Sequence, residues 1–212
     1  MIYNFLKRSI DIIASLMILV VFSPIFLIIP ILIKIDSQGP VFADTPKRVG
    51  RNEEFFKMYK FRSMIYNAHQ LLKTDPKFKK IYDEYKENSY KLKSDPRITK
   101  VGKFLRRFSL DELPQVLNVL KGEMSIVGPR AYYPDELENQ QKVYPETKEY
   151  VKQIMDTKPG ITGFWQVTGR SDINFDKRVK MDADYVKERS ILSDMIIIFK
   201  TPWAMISGKG AL

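Results

Sequence analysis

The residues from Ile12 to Ile33 are almost wholly apolar, and Ser23-Pro24 stands at the midpoint of the run. As a straight helix the run would reach ~33 Å, about the thickness of a bilayer's hydrocarbon core. It is too long for a typical signal-peptide core. It is followed by Lys34-Ile35-Asp36-Ser37-Gln38-Gly39 rather than by a small-residue cleavage site, so it reads as a membrane segment. Proline at 24 removes the N–H that would bond the Val20 carbonyl, and the Ser23 hydroxyl can turn back to Leu19. Lys7 and Arg8 precede the run while Lys34, Lys47, Arg48 and Arg51 follow it, so both flanks favour the cytoplasm. Two shapes satisfy these facts. One is a kinked spanning helix; the other enters the membrane, breaks and returns on the same side.

The chain as a whole has a folded composition, 44% hydrophobic and 28% charged over 212 residues, enough for one good-sized core. A net charge of +10 calls for an anionic partner: nucleic acid, an acidic membrane surface or phosphorylated substrates. The absence of cysteine excludes disulfides, thiolate nucleophiles and sulfur-ligated zinc. His69 is the only histidine, which leaves too few parts for a Ser-His triad or a multi-histidine metal site. Any covalent catalyst must be Asp, Glu, Lys, Ser, Thr or Tyr.

Val41 to Met64 reads as two strands around Val49-Gly50-Arg51-Asn52, with Lys60 and Arg62 pointing to one side. Asn67 to Asp95 is polar and helical, an accessory hairpin with Asp75-Pro76 as a cap and His69 as a surface or packing residue. Further helix spans Pro134 to Asp156, where Tyr150, Val151, Ile154 and Met155 rest on core or, as a second reading, on a membrane surface. Lys158 to Arg170 is a glycine-punctuated loop and short strand. Asn174 caps a helix carrying Val179, Asp182, Ala183 and Val186, and Ser193 begins a last apolar helix bent at Pro202-Trp203. Trp203 suits a membrane interface or a core position equally.

The densest chemistry lies in Ser109-Leu110-Asp111-Glu112-Leu113-Pro114-Gln115 and in the stretch that runs from it to Gly128-Pro129-Arg130. Leu113, Val116, Leu117 and Leu120 recur at helical spacing, and Gly122 supplies a left-handed stop. Pro114 belongs in a first helical turn, which places the cap at or just after Asp111. Asp111 and Glu112 then form an acidic helix start, which alone signifies only a cap worth ~1 kcal/mol. Arg97, Lys100, Lys103, Arg106 and Arg107 upstream and Arg130 downstream change that reading. Acids among cations suit phosphate chemistry, with carboxylates for Mg²⁺ and arginines for phosphoryl oxygens.

This stretch resembles the signature of the bacterial sugar transferases, the monotopic polyprenyl-phosphate sugar-1-phosphate transferases. Only Ala131 departs, at a position where the family usually has proline. Phe56 to Met64 is similar to a second family motif and Pro159 to Arg170 to a third, so the resemblance covers essentially the whole chain. It implies an α+β, mostly helical monotopic membrane protein with a small β-hairpin, interfacial amphipathic helices, and a re-entrant helix broken at Ser23 and Pro24. Residues 1–36 would form the membrane helix-break-helix. Residues 37–212 would form a cytoplasmic catalytic domain, with the insertion 67–95, in one unit with that helix. The implied reaction moves a sugar-1-phosphate from a UDP-sugar, UDP-galactose or UDP-glucose foremost, to undecaprenyl (polyprenyl) phosphate and releases UMP. That is the initiating membrane step of exopolysaccharide, capsule or glycoconjugate synthesis, on the cytoplasmic face of the bacterial inner (plasma) membrane. By the family pattern Asp111 is the nucleophile and bears Mg²⁺, and Glu112 assists. The substrate- and phosphate-binding set is Lys60, Arg62, Arg106, Arg130, Arg170 and Asp182. Membrane lipids are expected partners, nucleic acid is not, and a homo-oligomer is compatible with the reading.

Two other classes stand beside it. Asp182-Ala183-Asp184 matches the D-x-D metal motif of a glycosyltransferase, which would release a diphosphate instead of a monophosphate. A non-enzymatic basic protein on anionic membrane would account for the charge, but not for the Asp-Glu-Leu-Pro and Gly-Pro-Arg motifs.

Overall fold

Ser23 and Pro24 do interrupt the first helix, although the serine hydroxyl bonds a different carbonyl from the one expected. The computed structural model describes residues 2–87, 92, 94–169 and 173–207, and in it α1 (Ile2–Val21) and α2 (Ser23–Asp36) are bent by 63°. Ser23 Oγ donates at 2.8 Å to Val20 O, not to Leu19. Val20 O is the acceptor that Pro24, lacking an N–H, leaves open, so the i−3 bond repairs the break that the proline makes. Among the described residues no single helix is long and apolar enough to cross a membrane, whereas the bent pair passes that test together.

α1 begins well before the apolar run because its polar end is an anchor. Asp11 is buried and accepts from Ser125 Oγ at 3.0 Å, Ile126 N at 2.9 Å and Lys7 Nζ at 3.2 Å. A buried carboxylate is tolerable only with such donors.

The strands expected between Val41 and Met64 contract to β1 (Arg48–Val49) and β2 (Phe55–Phe56), antiparallel about a 3₁₀ turn at Arg51–Glu53, with isolated bridges from Phe42 to Phe61 and from Met64 to Ile98. The intervening backbone finds other partners. Asn118 takes Tyr59 N on its Oδ1 at 2.9 Å and donates Nδ2 to Lys57 O at 2.8 Å. Within the segment expected as an accessory hairpin stand α3 (Ala68–Thr74), a 3₁₀ turn at Pro76–Phe78 capped by Asp75, and α4 (Lys79–Glu87), while residues 88–91 and 93 of that segment lie outside the described residues. Next come α5 (Lys100–Arg107), a 3₁₀ turn at Leu110–Gln115 and α6 (Val116–Lys121), which stops at Gly122 with φ +84°.

β3 (Ser125–Val127) is followed by α7 (Pro134–Val143), the turn Pro145–Thr147 and α8 (Lys148–Met155), then by β4 (Gly160–Thr162). β3 and β4 pair in parallel, Ser125 opposite Gly160 and Val127 opposite Thr162. A Cβ on Gly160 would lie 2.1 Å from Gly128 N, so the two strands meet this closely only with glycine there. α9 (Phe164–Thr168) is helical where only loop and strand were expected. α10 (Phe175–Glu188) and α11 (Ile191–Ser207) complete the chain, α11 continuing through Pro202.

The molecule is thus α+β and mostly helical, with the hairpin and a second, parallel pair. Val151, Ile154 and Met155 of α8 pack with Tyr132, Phe175 and Val179 in one core cluster, as expected. Ala14 and Ile18 of α1 pack against a second cluster with Met58, Val119 and Met124. Ile29 and Ile33 of α2 join Phe61 and Leu105 in a third. The other faces are bare. Met17, Val20, Leu27 and Ile31 are exposed, as are Leu192, Ile196, Phe199 and Trp203 along one stripe of α11. Trp203, at 76% exposure, is therefore not a core residue.

Candidate active site

Asp111 and Glu112 face a cavity of about 330 Å³ into which Lys60, Arg106 and Arg130 also reach. Ser109, not Asp111, is the residue before the 3₁₀ turn, at φ +54°, and Pro114 lies inside that turn rather than in its first residues. Asp111 therefore sits one step inside the turn, buried, with 6% of its surface exposed. Its carbonyl accepts from Phe61 N at 2.9 Å, which aligns the strand carrying Lys60 with the acids.

Lys60 Nζ lies 2.6 Å from Glu112 Oε1. Burial pushes the Asp111 carboxyl above its usual range, with Glu112 adding to the rise, while Lys60 and Arg106 oppose it. The surrounding cations thus hold back a carboxyl that burial is raising. Arg106 is placed by Gly102, where a Cβ would lie 1.9 Å from Ser63 O. The close approach lets Arg106 Nε, one turn later, donate to Ser63 Oγ at 3.0 Å.

Arg62 and Asp182 are found in other employment. Arg62 donates to Pro40 O at 2.6 Å, Gln38 O at 2.6 Å and Ser37 O at 2.8 Å, closing the loop that follows α2. It lines the cavity with Lys60, as strand alternation suggests, but each of its three nitrogens already donates to one of those carbonyls. Asp182 is fully buried and does not line the cavity. Its Oδ2 accepts from Arg130 N at 3.0 Å and from Tyr132 OH at 3.4 Å, and burial raises its carboxyl to about 7. It holds the backbone of Arg130 and, being enclosed, does not serve as one half of a D-x-D metal motif. Glu136 supports the other end, 4.0 Å from Arg130 Nε and 3.1 Å from the fully buried Arg178. The Arg130 guanidinium lies 5.4 Å from the Trp165 ring centroid. Arg170 lies outside the described residues.

The β3–β4 pair brings the two glycine motifs together: Gly128 N donates to Thr162 O at 3.0 Å and Gly160 N to Pro129 O at 2.9 Å. That carries Trp165 and Gln166 to the cavity wall. Four wall residues escaped the sequence reading. Arg48 and Tyr133 stand beside turn residues with no motif of their own, and His69 and Tyr85 lie in a polar helical pattern that signals only solvent. The sole local signal was that His69 is the chain's one histidine.

Among the described residues no group of three or more His, Asp or Glu gathers as a ready metal site. Asp111 and Glu112 nonetheless suit Mg²⁺ in donor chemistry, since this ion commonly takes one or two carboxylates and completes its shell with water and substrate phosphates.

The family model for bacterial sugar transferases matches residues 2–208. The chain is 45% identical over 212 residues to the undecaprenyl-phosphate galactose phosphotransferase of Salmonella typhimurium, covering 98% of this chain and 42% of that protein. It is 41% identical over 209 residues to the exopolysaccharide production protein ExoY of Sinorhizobium fredii, covering 97% of this chain and 87% of the relative. With the undecaprenyl-phosphate glucose phosphotransferase of Komagataeibacter xylinus it shares 37% over 202 residues, 92% of this chain and 35% of that protein. The chain thus spans less than half the length of the two named phosphotransferases and most of ExoY.

Proposed function

Since the chain belongs to the bacterial sugar transferase family, we propose that it moves a sugar-1-phosphate from UDP-galactose or UDP-glucose to undecaprenyl (polyprenyl) phosphate. The observation that carries this reading is a buried carboxylate, Asp111, set among Lys60, Glu112 and Arg106 at a cavity wall.

Asp111 attacks the phosphorus that bears the sugar. The bond from that phosphorus to the UMP oxygen breaks, UMP leaves, and a phosphosugar-aspartate ester remains. An oxygen of polyprenyl phosphate then attacks the same phosphorus, and the ester bond breaks to restore the carboxylate. Lys60, Arg106 and Arg130 face the charge spread over the transferring phosphoryl oxygens. Glu112, paired with Lys60, sets the place of that ammonium and accepts a proton or orients the lipid phosphate in the second step. Asp111, with Glu112 beside it, would hold a Mg²⁺ ion, which would neutralise the diphosphate oxygens.

The reading places the enzyme on the cytoplasmic face of the bacterial plasma membrane, initiating exopolysaccharide or capsule assembly, with α1 and α2 as a re-entrant hairpin. The bare apolar faces of α1, α2 and α11 support that placement. Incubating enzyme with UDP-galactose or UDP-glucose and Mg²⁺, without lipid, tests the two-step route. It should release at most about one equivalent of UMP and gain one hexose-phosphate in intact mass, mapped to the Asp111 peptide. Release of UDP would instead indicate a glycosyltransferase. UMP that appears only when both substrates are present would rule out the covalent route.

A further inference from the structure

Two polar nitrogens beside the Tyr133 ring are buried with no hydrogen-bond partner among the described residues: Arg48 Nε and His69 Nε2. The Arg48 guanidinium carbon lies 3.2 Å from the Tyr133 ring centroid, and its Nη1 donates to Ala131 O at 3.1 Å. The His69 ring, carried on α3 of the insertion, has its centroid 5.7 Å from that of Tyr133 at 32°. Lys73 Nζ, 3.3 Å from Asp135 Oδ2, ties α3 to α7 close by. All three planar groups line the cavity that holds Asp111. An unmet buried polar atom costs about 1–3 kcal/mol, and native folds leave few of them. Arg130 Nε and Trp165 Nε1 elsewhere on the cavity wall lack a hydrogen-bond partner too, and the two that flank the Tyr133 ring mark a surface that a polar ligand would complete.

We infer that Arg48, His69 and Tyr133 form the subsite for the uracil ring of the nucleotide sugar. The inference rests on the UDP-sugar reading above and adds the place of the base. Phosphate is the wrong occupant for this wall. Burial, assisted by Lys73, brings His69 down to about 4, so its imidazole is neutral at physiological pH, and the phosphate-binding cations Lys60 and Arg106 surround Asp111 instead. A hexose is polar on every edge, whereas the wall is three flat groups backed by buried Ala68 and Leu92. A pyrimidine has a face for stacking on tyrosine, histidine or a guanidinium plane, and an edge for hydrogen bonds. Arg48 Nε can only donate, which matches a uracil carbonyl. His69 Nε2 donates or accepts according to tautomer, which matches the second carbonyl or N3–H.

The test uses the full chain in detergent, with UMP and CMP binding measured by calorimetry beside turnover of UDP-galactose and UDP-glucose. Wild type should prefer UMP over CMP. His69→Ala should weaken UMP about five- to tenfold, the loss expected for one neutral hydrogen bond. It should also shrink the UMP preference and leave the ratio of kcat/KM for the two hexoses within about twofold. His69→Asn, which keeps a hydrogen-bonding group, should recover part of the preference, and it stands in if the alanine variant does not fold. Unchanged UMP affinity in both variants would overturn the subsite, and so would an altered hexose ratio with intact UMP binding. Wild type that binds UMP with base preference, yet releases no UMP from either sugar nucleotide, would defeat the transferase reading and leave the subsite standing.

Discussion

Phe61 N donates to Asp111 O at 2.9 Å, and that single bond joins the strand bearing the site's lysine to the turn bearing its acid. The bond exists because of Pro114. In a 3₁₀ turn the carbonyl of residue 111 would be met by the N–H of residue 114, and proline has none. The open acceptor is taken by a neighbouring strand, and Lys60, the residue before Phe61, arrives 2.6 Å from Glu112. Pro114 thus serves the site through the hydrogen bond it cannot make.

The same strand is held a second time by Asn118, which is fully buried and bonds Tyr59 N, Lys57 O and Glu123 Oε2. Asn118→Ala would leave two backbone groups and a carboxylate oxygen without those partners. It should lower stability by about 2–4 kcal/mol, at ~1–3 kcal/mol for each unmet buried group less relaxation. Denaturant melts check this, and a loss below about 1 kcal/mol would show that water replaces the bonds.

Lys60→Met addresses the charge on Asp111. Burial raises that carboxyl and Lys60 is the largest opposing influence, so the substitution should raise it further. On the proposed route Asp111 attacks as the carboxylate, so the acid limb of the kcat/KM profile should move to higher pH. Activity at the optimum should fall about a hundredfold, the usual cost of losing one electrostatic contact to the reacting group. A profile lowered uniformly with its acid limb in place would mean that Lys60 binds substrate without tuning Asp111.

How much of this was legible follows from which forces are local. The proline break, the Gly122 stop and the acid turn came through because backbone chemistry fixes them within a few residues. Asp111 and Glu112 at one cavity wall with Arg106 and Arg130 followed from the motif. Arg62 does reach the cavity, but strand alternation gives a side chain's direction and not its partners, and three carbonyls from a loop more than twenty residues earlier accept from it. Asp182, a candidate substrate contact and half of a D-x-D pattern in the sequence, is turned inward by helical packing to the Arg130 backbone. The parallel pairing of β3 and β4, between segments far apart in sequence, has no local sign beyond its glycines.

Asp182 yields a stability prediction with a definite sign. Its carboxyl is raised to about 7 in the folded chain, so the native state holds a proton that the unfolded state releases near 4. Stability from that proton is fully present below about pH 4 and is lost as pH rises through about 7. The span is on the order of 3–4 kcal/mol. Asp182→Asn keeps an oxygen for Arg130 N and cannot titrate, so its stability should be flatter across that window than wild type. Parallel pH curves for the two proteins would place the carboxyl near its ordinary value.

The topology of the first two helices can be argued from where their ends are tied. At the start of α1, Arg8 donates to Val119 O at 2.6 Å and Leu120 O at 2.8 Å, and Asp11 bonds Ile126 N. At the end of α2, Asp36 accepts from Val101 N at 3.1 Å, and Arg62 holds the carbonyls of Ser37, Gln38 and Pro40. Both ends are fastened to the same catalytic body, so a spanning path would have to release one set of bonds. The 63° bend lets both sets persist, and Ser23 Oγ keeps the broken carbonyl satisfied. Replacing Ser23-Pro24 with Ala-Ala should straighten the pair and pull one anchor from its seat. The chain has no cysteine, so a single one at position 3 reports its own side of the membrane. In intact cells it should resist an impermeant maleimide in the wild-type background, and a variant carrying Ala-Ala should show a labelled fraction together with lost activity. Strong labelling of the background protein would place the amino terminus outside and sink the re-entrant hairpin.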